Sequence, residues 1–218
     1  MAPPKVTSDV NSDFLTIANA SSAKLIVESV ATNSLVIVPN YLSKTVLDPL
    51  LIDFTEHWDM EKFNRAGMGK HTLHTVNDEV RRDSTYWIDP INLTSPQANL
   101  WNMLEELRLE FNRQLYIGLL TLEGHYAQYP AGGYYKRHLD RFNSDDARTV
   151  TVVIYLNQNW KSENGGELKV YLMPNEEPLK IEPVAGTLVC FLSDRIEHEV
   201  SPSICERRSF AGWFKRRT

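Results

Sequence analysis

The sequence predicts a mainly β fold, a jelly-roll with N-terminal helices packed on one sheet, and a contrast between its two halves carries that expectation. In the first half, apolar residues recur three or four apart: Leu47, Leu50, Leu51 and Phe54, then Leu100, Leu104, Leu107, Phe111 and Leu115. That spacing lines one face of a helix. From about Tyr116 the text changes to short runs rich in Val, Ile, Tyr and Thr: "RTVTVVIYLN", "GELKVYLM", "GTLVCFLS" and "RRSFAGWF". The segments "NWKSENGG" and "PVAGT" separate them, and many short strands between turn residues fit a sandwich or barrel.

Taken in order, residues 1–22 are rich in Ser, Asn, Asp and Pro without a sustained period, which predicts a loosely held arm ahead of one domain over 23–218. "SLVIV" from Ser34 reads as a β-branched strand, Pro39-Asn40 as a turn, and the stretch through Phe54 as the first amphipathic helix. The second helix follows "TSPQ", with Ser95 as its N-cap and Pro96 at its first helical position. Residues 66–83, "AGMGKHTLHTVNDEVRRD", are polar, contain glycine and carry no apolar stripe, as in a mobile functional loop or, alternatively, a structural hairpin. Gly165 and Gly166 belong to a turn between strands, where their role is geometric.

Composition narrows the function. The chain has 218 residues, enough for a substantial core, and a formal net charge of −5. An acidic chain lacks the positive field that neutralises phosphates, so nucleic acid is not the expected partner. No run approaches the roughly 18 apolar residues of a membrane span, and the first residues lack a basic segment followed by an apolar one. Cys190 and Cys205 have no metal-type spacing and read as free thiols of a reducing compartment. A cytoplasmic location is therefore expected, without a membrane partner.

The chemistry gathers around three residues. His138 and Asp140 are two apart, so on a strand both side chains leave from one face. His198, sixty residues downstream in "SDRIEHEVSP", is the best third ligand. Two imidazoles and a carboxylate form the facial triad that holds Fe(II) with positions left open, an enzyme's arrangement rather than a closed structural site. In "ERRSFAGWF", alternation places Arg207, Ser209, Ala211 and Trp213 on one face and Arg208, Phe210 and Phe214 on the other. An inward Arg with a hydroxyl two residues on is a carboxylate receptor, because the guanidinium offers parallel donors and the Ser one more.

These segments, in order "YPAGGYYKRHLD", "TVVIYLNQNW", "ENGGEL", "SDRIEHEVSP" and "RRS", resemble the 2-oxoglutarate- and Fe(II)-dependent oxygenases of the prolyl-hydroxylase branch. The likeness is to the oxygen-sensing hypoxia-factor type and its bacterial relatives, covers about residues 35–215, and extends upstream to "VRRDSTYWID". It implies a double-stranded β-helix, a cupin-like jelly-roll, and a dioxygenase that hydroxylates a prolyl residue of a protein while converting 2-oxoglutarate to succinate and CO2. It implies Fe(II) on His138, Asp140 and His198, 2-oxoglutarate and O2 as co-substrates, and ascorbate as an accessory reductant. By the same resemblance, Arg207 anchors the distal carboxylate of 2-oxoglutarate with Tyr155, while Tyr129 lines the co-substrate pocket near the metal. Arg148 and Trp213 face the substrate, and Arg81 and Asp83 stand at the base of the loop. In bacterial relatives a translation elongation factor is a candidate protein substrate.

Simpler readings accompany these. Tyr155 and Trp213 could be core aromatics, and "HTLH" in the loop could hold a metal adventitiously. His57 and His125 carry no second element of a site, and Tyr134, Tyr135, Lys136 and Arg137 receive no chemical role. An oxygenase acting on a free amino acid or another side chain, and a non-catalytic cupin-like module holding a metal or a small acid, are the alternative functions.

Overall fold

In a computed structural model, which describes residues 16–17, 22–67, 77–141, 147–173 and 176–217, the alternating runs form two antiparallel sheets. The elements are α1 (Ala23–Asn33), β1 (Leu35–Val38), α2 (Lys44–Asp59), β2 (Asn64–Arg65), β3 (Ser84–Trp87), α3 (Ser95–Leu115) and β4 (Leu119–Tyr129). They continue with β5 (Tyr135–His138), β6 (Arg148–Tyr155), β7 (Leu168–Tyr171), β8 (Leu179–Ile181), β9 (Leu188–Leu192), β10 (Glu197–Val200) and β11 (Arg207–Arg216). A seven-stranded sheet has the order β1-β9-β6-β11-β4-β3-β2, and a four-stranded sheet the order β5-β10-β7-β8. Two sheets with helices on one of them are the expected double-stranded β-helix.

Alternation in the large sheet sorts its side chains into two cores. Leu122, Tyr126, Val150, Val152, Ile154, Phe210 and Phe214 pack under the helices, against Val27, Leu50, Phe54, Leu104 and Phe111. Their sheet neighbours Ala127, Tyr129, Val153, Tyr155, Val189 and Phe191 turn the other way, toward Leu168, Val170 and Val200 of the small sheet. Burial of each large apolar side chain contributes about 1.5–3 kcal/mol, so the sheet is fixed from both faces. Gly124 and Gly212 stand opposite one another on β4 and β11, and the Phe210 ring lies over both. A Cβ on Gly124 would meet that ring at 2.5 Å.

One buried carboxylate ties the helices to the sheet. Asp53 of α2 accepts from the Thr94 hydroxyl at 2.6 Å, the Gln97 amide at 2.9 Å and the Tyr126 hydroxyl at 2.8 Å. Thr94 and Gln97 also form the capping box of α3, so the cap is Thr94 and not the expected Ser95; Pro96 falls in the first turn. Helix α1 lies between the arm and "SLVIV", where no helix is expected, and buries Ile26, Val27 and Val30. Most of the expected arm, like the "HTLH" pair, lies outside the described residues. Thr16 and Ile17 do not hang loose: Ile17 donates its N–H to Ile37 at 3.0 Å beside a bridge from Thr16. Both cysteines are free, with Cys190 buried. Among the described residues, no helix is long and apolar enough to cross a membrane.

Candidate active site

The small sheet carries the two histidines. His138 ends β5 and pairs directly with His198 of β10, while Asp140 lies just past the strand. One ligand atom from each of His138, Asp140 and His198 lies within 4.8 Å of the others. The Nε2 atoms of His138 and His198 are 3.5 and 3.7 Å from the two Asp140 oxygens. Each histidine donates its Nδ1–H to the carbonyl two residues back, His138 to Lys136 at 2.8 Å and His198 to Ile196 at 3.0 Å. A carbonyl only accepts, so Nδ1 holds the proton and Nε2 presents its lone pair to the site.

Hydroxyls order the carboxylate. Thr151 donates to Asp140 at 2.8 Å, and since its one proton is used there, Ser193 donates to Thr151 at 2.9 Å. Burial opposes ionisation of Asp140, but the neighbouring His198 and His138 outweigh it and hold its carboxyl well below the usual range. Burial also lowers the His198 imidazole, reinforced by His138 and opposed by Asp140. An anionic carboxylate beside a neutral imidazole is the protonation state in which both groups bind a divalent metal. The donor set, two N and one O, fits Fe(II).

The other end of the interior holds Arg207. Arg207 is 1% exposed and among the described residues has no carboxylate partner. Its Nε donates to the Gly166 carbonyl at 2.8 Å and its Nη1 approaches the Ser209 hydroxyl at 3.4 Å. A buried cation without a counter-ion is costly, which makes this a place for an anionic ligand. Tyr129 and Tyr155 flank it, both ring centres 5.2 Å from the guanidinium carbon. Burial pushes the Tyr155 phenol up to about 12, Arg207 offsetting part of the rise, so it stays a donor; its buried hydroxyl has no partner among the described residues. Gly166 makes this possible: its φ is +71°, and a Cβ there would sit 3.3 Å from Cδ of Arg207. Thr151 and Tyr155 are four residues apart on one face of β6, about 13 Å along a strand. That leaves room between metal site and receptor for a short dicarboxylate.

A third group borders the site. The Arg148 guanidinium lies 3.7 Å from the Trp213 ring centre, and its Nε donates to Glu123 at 2.8 Å. The buried Trp213 indole N–H has no partner among the described residues. Trp213 is 5.5 Å from His125 and 6.0 Å from the half-exposed Trp87, ring centre to ring centre. His125, given no part from the sequence, thus lines this cluster. Burial drops its imidazole to about 3, with Arg81 adding to the effect, so it is neutral. Tyr135, also given no role, stacks on His138 with centroids 3.6 Å apart and planes 18° apart. The Arg81–Asp83 pair, at 2.7 and 2.5 Å, stands beside that stack.

A model of the 2OG-Fe(II) oxygenase superfamily matches residues 124–215, the span from β4 through β11. A prolyl-4-hydroxylase of Pseudomonas putida superposes with a TM-score of 0.81 at 35% identity, covering 89% of this chain and 99% of that one. A Trichoplax adhaerens prolyl hydroxylase, solved with a fragment of the hypoxia-inducible factor oxygen degradation domain, gives 0.78 at 27% identity, covering 88% of each chain. The hypoxia-inducible factor prolyl hydroxylase of Caenorhabditis elegans is 31% identical over 154 residues, 66% of this chain and 21% of the relative. Mouse prolyl hydroxylase EGLN3 is 37% identical over 91 residues, 40% of this chain and 38% of the relative. The chain thus aligns with about a fifth to two fifths of the length of these two curated relatives. The metal triad, the lone buried arginine and these likenesses converge: the chain belongs to the 2OG-Fe(II) oxygenase superfamily, in its prolyl-hydroxylase branch, whose cofactor is Fe(II) and whose co-substrates are 2-oxoglutarate and O2.

Proposed function

We propose that this protein hydroxylates a prolyl residue of a protein substrate, with 2-oxoglutarate and O2 converted to succinate and CO2 as one hydroxyl enters the substrate. The observation that carries the reading is the pairing of the His138–Asp140–His198 cluster with a buried Arg207 that has no carboxylate partner among the described residues. Bound Fe(II) supplies the activation of O2. The chain supplies the rest. His138, Asp140 and His198 would hold the metal. Arg207 takes the distal carboxylate of 2-oxoglutarate through a charge-assisted pair, with Ser209 and the Tyr155 hydroxyl adding donors and Tyr129 closing the side of the pocket. Arg148 and Trp213 orient the substrate, and the neutral His125 beside them adds wall without adding charge.

Similarity to a hydroxylase solved with a peptide supports a protein substrate, and a translation elongation factor is the first partner to test. A cytoplasmic location fits such a partner, and ascorbate would serve as accessory reductant. The test is mass spectrometry of the host proteome with and without the gene, searching for one added oxygen on proline. A gene-dependent hydroxyproline is the expected result. If purified enzyme consumes 2-oxoglutarate but no such residue is found, the substrate is a free amino acid or another small molecule instead.

A further inference from the structure

Of the three metal-site residues, His138 has the most exposed side chain, 15% against 8% for Asp140 and 6% for His198. It also ends β5, an outer strand of the four-stranded sheet. Strand edges are where pairing frays first, so a ligand placed there needs support from outside the sheet.

That support comes from residues 80–83. Lys136 donates its N–H to the Val80 carbonyl and Arg82 donates to the Tyr134 carbonyl, both at 2.9 Å, around a bridge between Arg81 and Tyr135. The segment is anchored in turn. Asp83 is buried and holds Arg81 through two hydrogen bonds, and its carbonyl accepts from Ala66 at 2.9 Å. Arg81 places its guanidinium carbon 4.3 Å from the centre of the Tyr135 ring, the ring on which His138 stacks at 3.6 Å.

Tyr135 and His138 are three apart and would leave an ideal strand on opposite faces. They meet because β5 carries a bulge: His198 and Val200, two apart on β10, pair with His138 and Tyr135. The imidazole therefore has two restraints, the Lys136 carbonyl at Nδ1 and the Tyr135 ring along its face.

We propose that the segment Val80–Asp83 clamps His138 through Tyr135, so that metal binding and the order of this segment are thermodynamically coupled. The inference rests on His138 being a metal ligand. Tyr135 and Arg81 are positioning residues: neither offers a ligand atom, and both limit how far the imidazole can turn from the metal. Coupling is reciprocal, so a metal that fixes His138 must also fix the segment, and loosening the segment must weaken metal binding. Groups that orient a metal's ligands change affinity by about 10–100-fold when removed, and the lower figure suits a ring contact.

The experiment uses the full chain and Mn(II), a redox-silent substitute for Fe(II), with affinity measured calorimetrically and amide exchange measured at Arg82 and Lys136. Tyr135→Leu removes the stack and is expected to weaken Mn(II) binding about tenfold, whereas Tyr135→Phe, which keeps the ring, should stay within about twofold of wild type. The double substitution Arg81→Gln/Asp83→Asn removes the clamp without leaving an unpaired buried charge and leaves Tyr135 in place, so it decides the matter if Tyr135→Leu does not fold; it too should bind about tenfold more weakly. Mn(II) should slow exchange of the two amides in wild type and leave it unchanged in the double variant. Wild-type affinity in a folded Tyr135→Leu protein or in the double variant would overturn the proposal, as would metal-independent exchange in wild type. Neither readout involves prolyl substrate or turnover, so this coupling can fail while the hydroxylase reading stands. A wild type that bound no Mn(II) would sink both.

Discussion

At the residue scale, burial gives His125 and His198 the same electrical state for different ends. His198 is neutral with its Nδ1 proton committed, which frees Nε2 for metal; His125 is neutral among Trp87 and Trp213, so it adds no charge beside the Arg148–Glu123 pair. The consequence for stability has a definite sign. The His125 value of about 3 lies below the ordinary 6.5, so between these limits the unfolded chain binds a proton that the folded chain refuses. For His125 the associated stability is complete above about pH 6.5 and is lost progressively as pH falls toward 3, about 2 kcal/mol of it by pH 5. His198 acts in the same direction. The stability of metal-free protein in urea unfolding should therefore drop between pH 7 and pH 5, and His125→Leu should make that drop smaller by about 2 kcal/mol. An unchanged slope in His125→Leu would mean that His125 takes up its proton in the native state.

Two of the pairs at the candidate site were readable from spacing, because His138 with Asp140, and Arg207 with Ser209, are two apart. Tyr135 was not readable, since its contact with His138 needs a bulge that no composition rule marks. His125 was missed for a related reason: its meaning lies in rings contributed by β3 and β11.

At the scale of elements, Asp53 decides how the helices sit. It gathers donors from α3, its cap and β4, while the carbonyl of the same residue accepts from His57 at 2.8 Å. Asp53→Ala would leave the Thr94, Gln97 and Tyr126 donors without their acceptor in a buried place. A loss of about 3 kcal/mol in urea unfolding is expected; a loss below about 0.5 kcal/mol, the level of an ordinary surface change, would show that water replaces the carboxylate. The apolar stripes located α2 and α3 from sequence, but the start of α3 was displaced by one residue because Thr94 and Ser95 are both good caps. Gln97, three residues after Thr94, was the signal that separates them. Helix α1 had no comparable stripe: Ile26 and Val27 are adjacent and β-branched, which weakens a helical reading.

At the scale of the molecule, the large sheet has two faces with separate duties. Its helix-side face is sealed by Phe54, Phe111 and Phe214 among others, and its inner face presents Tyr129, Thr151, Tyr155, Arg207 and Trp213 to the interior. Strand alternation made that division legible, and the fold with it. What alternation could not supply was the distance between sheets, and therefore which inward residues meet. The central claim is that this interior couples Fe(II) to 2-oxoglutarate. The most direct measurement is succinate formed from 2-oxoglutarate by purified protein with and without Fe(II), in wild type and in Asp140→Ala. Succinate that requires Fe(II) in wild type and falls to background in Asp140→Ala is the expected result. Wild-type protein that forms none in the presence of Fe(II) and proline-containing peptides, or an Asp140→Ala protein as active as wild type, would contradict the account.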